Sequence, residues 1–230
     1  MSAVLVAGSD GGIGRACVEA VEASGASAYG VDLVDGVDIT EPGGVEKALA
    51  QATARHGRLA GVVHAVGMSG RRLGDGGVAE CTDEAWREVH RVNHESVFRL
   101  LRAAIPALTE GGSIVVIGSA LGTSIDDDFR TVAYASAKGA LIPLIRTAAR
   151  EAAPRGVRVN LVSAGLVATP MSVRARTSAA VQARMPALMP LGASPCRPEE
   201  VAQAVLWLLS PSSGRTTGAV IPVDGGWHLR

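Results

Sequence analysis

Tyr134 and Lys138 stand four positions apart in Tyr134-Ala135-Ser136-Ala137-Lys138. On a helix, that spacing puts both side chains on one face, one turn apart. A phenol titrates near ~10 and is a poor base at neutral pH. A neighbouring ammonium favours the phenolate and draws that value down, so the pair suits proton exchange with a substrate oxygen. Helices also produce Tyr–Lys pairs by chance. This pair gains weight because tyrosine occurs only twice in the chain, and because the strand-like run before it ends Ile117-Gly118-Ser119. A serine there is by itself a turn residue. Beside the pair, and at the carboxyl end of a strand where open α/β sheets bind ligands, Ser119 is a candidate to hold the substrate oxygen.

A second constellation lies near the start of the chain. Gly8-Ser9-Asp10-Gly11-Gly12-Ile13-Gly14 follows an apolar run and opens a helical pattern. Glycines there let the backbone turn tightly and approach a pyrophosphate, and the free N–H groups of a helix start favour negative charge. A glycine loop alone is a weak signal, and the strand–loop–helix setting strengthens it. Asp32 ends the next strand-like run. At that position a carboxylate accepts hydrogen bonds from an adenosine ribose and repels a 2′-phosphate. Leu33 follows it in place of Arg or Lys, and no basic residue precedes Arg15 in the loop. The expected cofactor is NAD(H), with NADP(H) disfavoured. Asp38 and Ile39 are weaker candidates to bracket the adenine, one bonding its amine and the other packing on its face.

These residues need a scaffold. Strand candidates are Ala3–Ala7, Ala26–Leu33, Gly61–Ala65, Ser113–Gly118, Val157–Val162 and Ala219–Val223, mostly continuous Val/Ile/Leu runs that suit strands buried on both faces. Helical patterns fall near Gly14–Ala23, Gly43–His56, Asp83–Leu108, Tyr134–Ala153 and Pro198–Leu209. The alternation predicts a Rossmann-type, doubly wound parallel sheet with helices on both faces, in a single domain over 1–230. After the second strand only Val34–Gly36 precede Val37-Asp38-Ile39-Thr40, so the usual crossover helix shortens to a loop. Met171–Arg197, rich in Ala, Met, Arg and Pro, reads as short helices in a long connection, a candidate substrate lid.

Composition narrows the class. The 230 residues are 47% apolar but include only three Trp, two Tyr and two Phe, so small aliphatic residues do the packing. Lys+Arg and Asp+Glu balance at 22 each, which disfavours nucleic acid or an anionic membrane as partner. Cys17, Cys81 and Cys196 are odd in number and far apart, which argues against a disulfide framework or zinc site and suggests reduced thiols in a cytoplasmic protein. The strand-like Ala3–Val6 so close to Met1 predicts no signal peptide. No uncharged apolar stretch nears the ~20 residues of a membrane helix.

Taken together, these motifs resemble the short-chain dehydrogenase/reductase family over nearly the whole chain. Gly8-x3-Gly12-Ile13-Gly14 matches its TGxxxGIG loop, with Ala7 for Thr. Val62-Val63-His64-Ala65-Val66-Gly67 is similar to its LVNNAG strand end, with both asparagines changed. Asn93 falls where the family keeps an active-site Asn, and Ser119, Tyr134 and Lys138 match its catalytic Ser and YxxxK. Val159–Gly165 resembles the strand before its PG turn, with Ala164 for Pro, and Gly218–Gly226 resembles its C-terminal strand and turn.

The resemblance implies a tetrad. Tyr134 is general acid or base, Ser119 orients the carbonyl or alcohol, Lys138 tunes the tyrosine and holds the nicotinamide ribose, and Asn93 fixes a water chain from Lys138 to solvent. It also implies cofactor contacts from Gly8, Ser9, Gly12, Ile13 and Gly14, from Ala65, Val66 and Gly67, and from Gly165, Val167 and Thr169. A homotetramer or dimer is implied as well, built on the Asp83–Leu108 and Tyr134–Ala153 helices, with Trp227 at a second interface.

Some features depart from the pattern. Ser119 and Tyr134 are spaced more widely than usual, and the extra residues are expected to bulge within Ser124–Arg130. Its Asp126-Asp127-Asp128 run reads first as a solvated loop tip and second as a pocket rim. His64 is expected to be a packing or hydrogen-bonding variation, and Pro143 to kink its helix beyond Lys138. In the lid, Met171, Met185, Leu188 and Met189 suit an adaptable apolar pocket. Arg174, Arg176 and Arg184 suit a substrate anion. An amphipathic helix with Met inward and Arg in water is the plainer reading of both sets.

The function expected is interconversion of a secondary alcohol and a ketone by a small-molecule NAD(H) oxidoreductase. A dihydrodiol-type dehydrogenase acting on a cyclic diol fits the same residues. A non-catalytic NAD(H) sensor fits less well, because such a protein has no need of an intact Tyr134–Lys138 pair.

Overall fold

The computed structural model describes residues 3–229. Six parallel strands form one sheet in the order β2-β1-β3-β4-β5-β6: β1 Ala3–Ala7, β2 Ser27–Val31, β3 Leu59–His64, β4 Ser113–Ser119, β5 Arg158–Ala164 and β6 Val220–Val223. The order reverses at β1, with β2 on one side and β3 on the other. That opens a crevice at the carboxyl ends of β1 and β3, where such sheets bind ligands.

The strands are buried on both sides, as their aliphatic runs predict. Leu5, Val62, Ile114, Val116 and Leu161 face one core with helices α2 (Gly44–His56), α4 (Ser96–Ala107) and α6 (Leu141–Ala152). Val4, Val6, Val63, Val115 and Val162 face the other core with α1 (Gly12–Ala23) and α9 (Pro198–Leu209). Beyond β2 the chain makes only a short 3-10 turn, Leu33–Asp35, before reaching α2. The crossover helix expected to shorten to a loop is present at full length as the 13-residue α2, displaced past Val37–Thr40, which form no strand, and β2 is left as the sheet edge.

Two long helical patterns are interrupted. Asp83–Leu108 divides into α3 (Asp83–His90), a π-helical turn Arg91–Glu95, and α4. Tyr134–Ala153 begins two residues early as α5 (Val132–Gly139), breaks at Ala140 and resumes as α6. Pro143 accounts for the break. It has no N–H for the Gly139 carbonyl, and its ring crowds that oxygen. The Tyr134–Lys138 pair therefore rides on the eight-residue α5, ahead of the kink expected from Pro143.

The long connection contains α7 (Val173–Thr177) and α8 (Ala179–Leu188). Met185, Leu188 and Met189 are at most 2% exposed in the α1/α9-side core, whereas Met171 is exposed. Three of the four proposed pocket residues are thus core, because α8 turns its apolar face onto the sheet. Trp227 is likewise taken up inside the subunit, edge-on to Phe129 at 5.0 Å between ring centroids. It offers no exposed surface for the second interface expected of it.

Candidate active site

The glycine loop joins β1 to α1 and lies against the segment that leaves β3. Gly8 has φ 85°, and a Cβ there would stand 2.8 Å from the carbonyl carbon of Ala65. Only glycine fits so close to another backbone in that conformation. A Cβ on Gly14 would meet the Gly8 oxygen at 2.0 Å, so α1 starts directly on the loop. Ser9 stands over Gly30 of β2, and Ile13 is half-buried against the core. No side chain caps α1 at Gly11, which leaves its first N–H groups to an anion. Thr169, at the base of the long connection, stands across from Gly12. A Cβ on Gly12 would lie 2.7 Å from its methyl. A Cβ on Gly67 would meet Asn93 Oδ1 at 3.0 Å and Lys138 Nζ at 3.6 Å. Glycines at these four positions keep a cradle open between the loop, the β3 exit and the lysine, and a nicotinamide dinucleotide fits such a cradle.

Asp32 sits at the rim of this crevice. Its carboxylate accepts from the Asp10 amide at 3.0 Å and from the Leu33 amide at 2.7 Å, so it caps the 3-10 turn and ties it to the glycine loop. The carboxylate expected at the ribose thus also holds the loop together. Leu33 is exposed beside it. Asp38 and Ile39 do not bracket an open site. Asp38 Oδ1 is held by the Thr40 amide at 2.8 Å and the Thr40 hydroxyl at 2.6 Å. Ile39 is 3% exposed within the core, because the loop must bury an apolar residue to lie on α2. Ala65, Val66 and Gly67 are half-buried along the crevice. Val167 has its side chain in the core and only its backbone at the rim. Gly165 lets Asp224 of the C-terminal turn approach, since a Cβ there would stand 2.7 Å from the Asp224 Cα.

At the chemical end, the Ser119 side chain stands against the Tyr134 phenol and favours its ionised form, across the longer β4–α5 connection. Gly122 and Gly139 permit this approach. A Cβ on Gly139 would stand 2.8 Å from the Gly122 oxygen, so α5 presses directly onto the end of β4. Lys138 is 4% exposed and donates to the Ile117 carbonyl at 2.9 Å. Its ammonium lies 5.8 Å from the centre of the Tyr134 ring. Burial pushes the lysine down to about 8. Burial also pushes the Tyr134 phenol above its ordinary value, and the Ser119 side chain pulls the other way. The lysine was expected to lower the phenol's pKa. Here desolvation of the phenolate sets the direction, and Ser119 rather than Lys138 opposes it.

Asn93 belongs to the π-helical turn. Its Oδ1 accepts from the Met68 amide at 3.2 Å, and its Nδ2 donates to the Met68 and Val89 carbonyls, both at 3.0 Å. It clamps the segment after Gly67 against the turn. His64 is fully buried beside it, Nε2 at 2.9 Å from the Ser96 hydroxyl. That hydroxyl donates to the Val92 carbonyl at 2.6 Å, so it accepts from Nε2–H, and Nδ1 carries no proton. Burial first, and the Lys138 charge second, push His64 down to about 3. It is a neutral hydrogen-bonding substitute, as expected.

The Asp126–Asp128 run holds a partner that sequence did not reveal. Arg184 of α8 pairs with Asp126 at 2.8 Å and also with Asp128, and the Asp126 side chain is 3% exposed. Neither the solvated-tip reading nor the reading of Arg184 as solvated describes this bridge between the long connection and the β4–α5 loop. Residues 58 apart form it, and no local spacing marks such a pair. Arg176 bonds Ser172 and the Thr169 carbonyl, whereas Arg174 is exposed. A cavity of about 450 Å³ behind α5 is lined by Val78, Leu121, Ile125, Phe129 and Val132; neither Ser119 nor Tyr134 lines it, so it lies apart from the chemistry. Among the described residues, no cluster of His, Cys, Asp or Glu could hold a metal, and no helix is long and apolar enough to cross a membrane. The three cysteines are unpaired, and burial pushes Cys17 up to about 12.

Known proteins are similar to this chain in sequence and fold. A family profile described as enoyl-(acyl carrier protein) reductase matches residues 7–228. The 3-oxoacyl-[acyl-carrier-protein] reductase FabG of Escherichia coli is 31% identical, over 98% of this chain and 96% of its own length. An uncharacterised NAD-dependent oxidoreductase of Mycobacterium tuberculosis is 35% identical, over 91% of this chain and 76% of its own. A short-chain type dehydrogenase/reductase structure from Mycobacterium ulcerans superposes with TM-score 0.91 at 31% identity, covering 100% of this chain and 90% of that one.

Proposed function

The chain belongs to the short-chain dehydrogenase/reductase family, and from that premise we propose that it interconverts a secondary alcohol and a ketone with NAD(H). The observation that carries the reading is the convergence of Ser119 and the buried Lys138 on the Tyr134 phenol, with the ammonium 5.8 Å from the ring centre. Hydride exchange at the reacting carbon is the cofactor's chemistry. The chain's own residues manage the oxygen. Ser119 donates a hydrogen bond to the carbonyl and sets its distance from Tyr134. The phenol gives up its proton as the carbonyl oxygen gains charge, or takes one from the alcohol in the reverse direction.

Lys138 places a positive charge beneath the phenol and supplies further N–H donors for the nicotinamide ribose. Asn93 keeps the segment after Gly67 in place along the crevice. The uncapped start of α1, with Gly8, Ser9, Gly12, Ile13 and Gly14, suits the pyrophosphate, and Thr169 closes the opposite wall. Asp32, with no basic residue beside it, supports NAD(H) over NADP(H) through the ribose hydroxyls and repulsion of a 2′-phosphate. Residues 171–197 act as the substrate lid on this reading. The same reading takes the protein as a cytoplasmic homo-oligomer.

Tyr134→Phe tests the proposal. It removes one hydroxyl and leaves the cradle intact. The expected result is loss of turnover on a panel of cyclic ketones, diols and acyl thioesters, with NAD(H) affinity nearly unchanged. Near-normal turnover by the Phe variant would refute the mechanism. Wild-type protein that binds NAD(H) but turns over nothing on the panel would favour a sensor.

A further inference from the structure

The helix that carries Tyr134 is not capped by its own neighbouring residues. Thr131, at the cap position of α5, makes no side-chain bond to the first turn. The amides of that turn are held from the loop after β3. Val132 N–H donates to the Gly76 carbonyl at 3.0 Å. Ala133 N–H donates to Asp75 Oδ1 at 2.9 Å, and Tyr134 N–H to Asp75 Oδ2 at 3.1 Å. Asp75 is 4% exposed, and both its oxygens take part. Gly74-Asp75-Gly76-Gly77 reads in sequence as an ordinary turn, and the 58 positions between Asp75 and Ala133 hide the contact.

We propose that Asp75 is a positioning residue for the proton-transfer step, fixing Tyr134 by its own backbone amide. This rests on the reading of Tyr134 as acid and base. Three features of the fold carry it. The helix α5 is only eight residues long, so its first turn, with Tyr134, lies close to the cap that Asp75 supplies. A carboxylate at the amino end of a helix both satisfies free N–H groups and opposes the helix dipole. The loop that supplies Asp75 is itself anchored. Asn93 grips it at Met68, Asp75 N–H donates to the Gly70 carbonyl at 3.0 Å, and the Thr82 hydroxyl donates to the Leu73 carbonyl at 2.6 Å. One rigid loop thus touches the cofactor crevice at Gly67 and the catalytic helix at Asp75, and so fixes the phenol relative to the nicotinamide end of the cradle.

Asp75→Asn keeps the shape but turns one oxygen into a donor facing an N–H. Small displacements of reacting groups cost up to about a hundredfold in rate. The expected result is a kcat lower by about tenfold to a hundredfold, with the KM for the dinucleotide within about twofold of wild type. Asp83→Asn makes the same charge change at an 87% exposed side chain and should change neither. A kcat within about twofold of wild type, or equal losses of kcat and dinucleotide affinity, would overturn the proposal.

Hydrogen exchange of the wild-type Ala133 and Tyr134 amides decides the matter if the Asn variant does not fold. Slow exchange is expected, and exchange as fast as that of uncapped first-turn amides overturns the proposal. This readout needs no activity. A failure of Asp75 is therefore distinguishable from a failure of Tyr134→Phe.

Discussion

Replacing Lys138 by Met should stabilise the protein near neutral pH while abolishing turnover. The side chain is 4% exposed, and burial holds its pKa at about 8 against an ordinary 10.5. At about 1.4 kcal/mol per pK unit, that difference makes the buried ammonium a burden of about 3 kcal/mol. The sign fixes the pH window. Below about pH 8 both folded and unfolded chains carry the proton, and the folded state bears the whole cost. From there to about 10.5 the folded protein has released a proton that the unfolded chain keeps, so stability rises with pH.

Methionine keeps the apolar stem and removes the charge. It also loses the 2.9 Å bond to the Ile117 carbonyl, worth roughly 1.5–3 kcal/mol for a charged donor. The net gain at neutral pH is about 1 kcal/mol, or roughly 2–4 °C in Tm for a chain of this size. Near pH 10.5 the burden is gone and the lost bond remains, so the variant should be the less stable protein. The assay is thermal unfolding of both proteins across the range. Groups that do not feel the Lys138 charge contribute equally to both proteins and cancel in the difference. A variant less stable at neutral pH, with a difference that does not vary with pH, would refute the reasoning about the buried charge.

Asp32→Ala should lower the ratio of kcat/KM for NAD+ over NADP+ by about tenfold or more, since one hydrogen-bonded carboxylate is removed along with its repulsion; an unchanged ratio removes Asp32 from the ribose site. Arg184→Met cuts the bridge to Asp126 and Asp128. It should raise the KM for the carbonyl substrate and speed tryptic cleavage after Arg174 and Arg176, so unaltered cleavage at those two sites would mean that the bridge does not hold the lid. Because Tyr134 is pushed upward, its acid form persists through neutral pH. Reduction should stay flat from about pH 6 through neutrality and fall only on the alkaline side, while oxidation rises with pH. A reduction rate already falling below about pH 7 would contradict the raised phenol.

The local chemistry was written in the sequence. The glycine loop, Asp32 at a strand end and the Tyr134–Lys138 spacing depend on a few neighbouring residues, so strand and helix periods suffice to place them. The doubly wound sheet was legible for the same reason, since aliphatic runs mark strands covered on both faces. Interactions that cross the chain were not. Asp75 reaches α5 and Arg184 reaches Asp126 only after the loops close, and neither pair carries a spacing to recognise. Met185 and Met189 became core rather than pocket, and Ile39 became core rather than adenine wall, because burial depends on which face another element covers. The direction in which Tyr134 is shifted was decided the same way. Sequence supplied a lysine one helical turn away, while desolvation and the aim of its ammonium at Ile117 exist only in three dimensions.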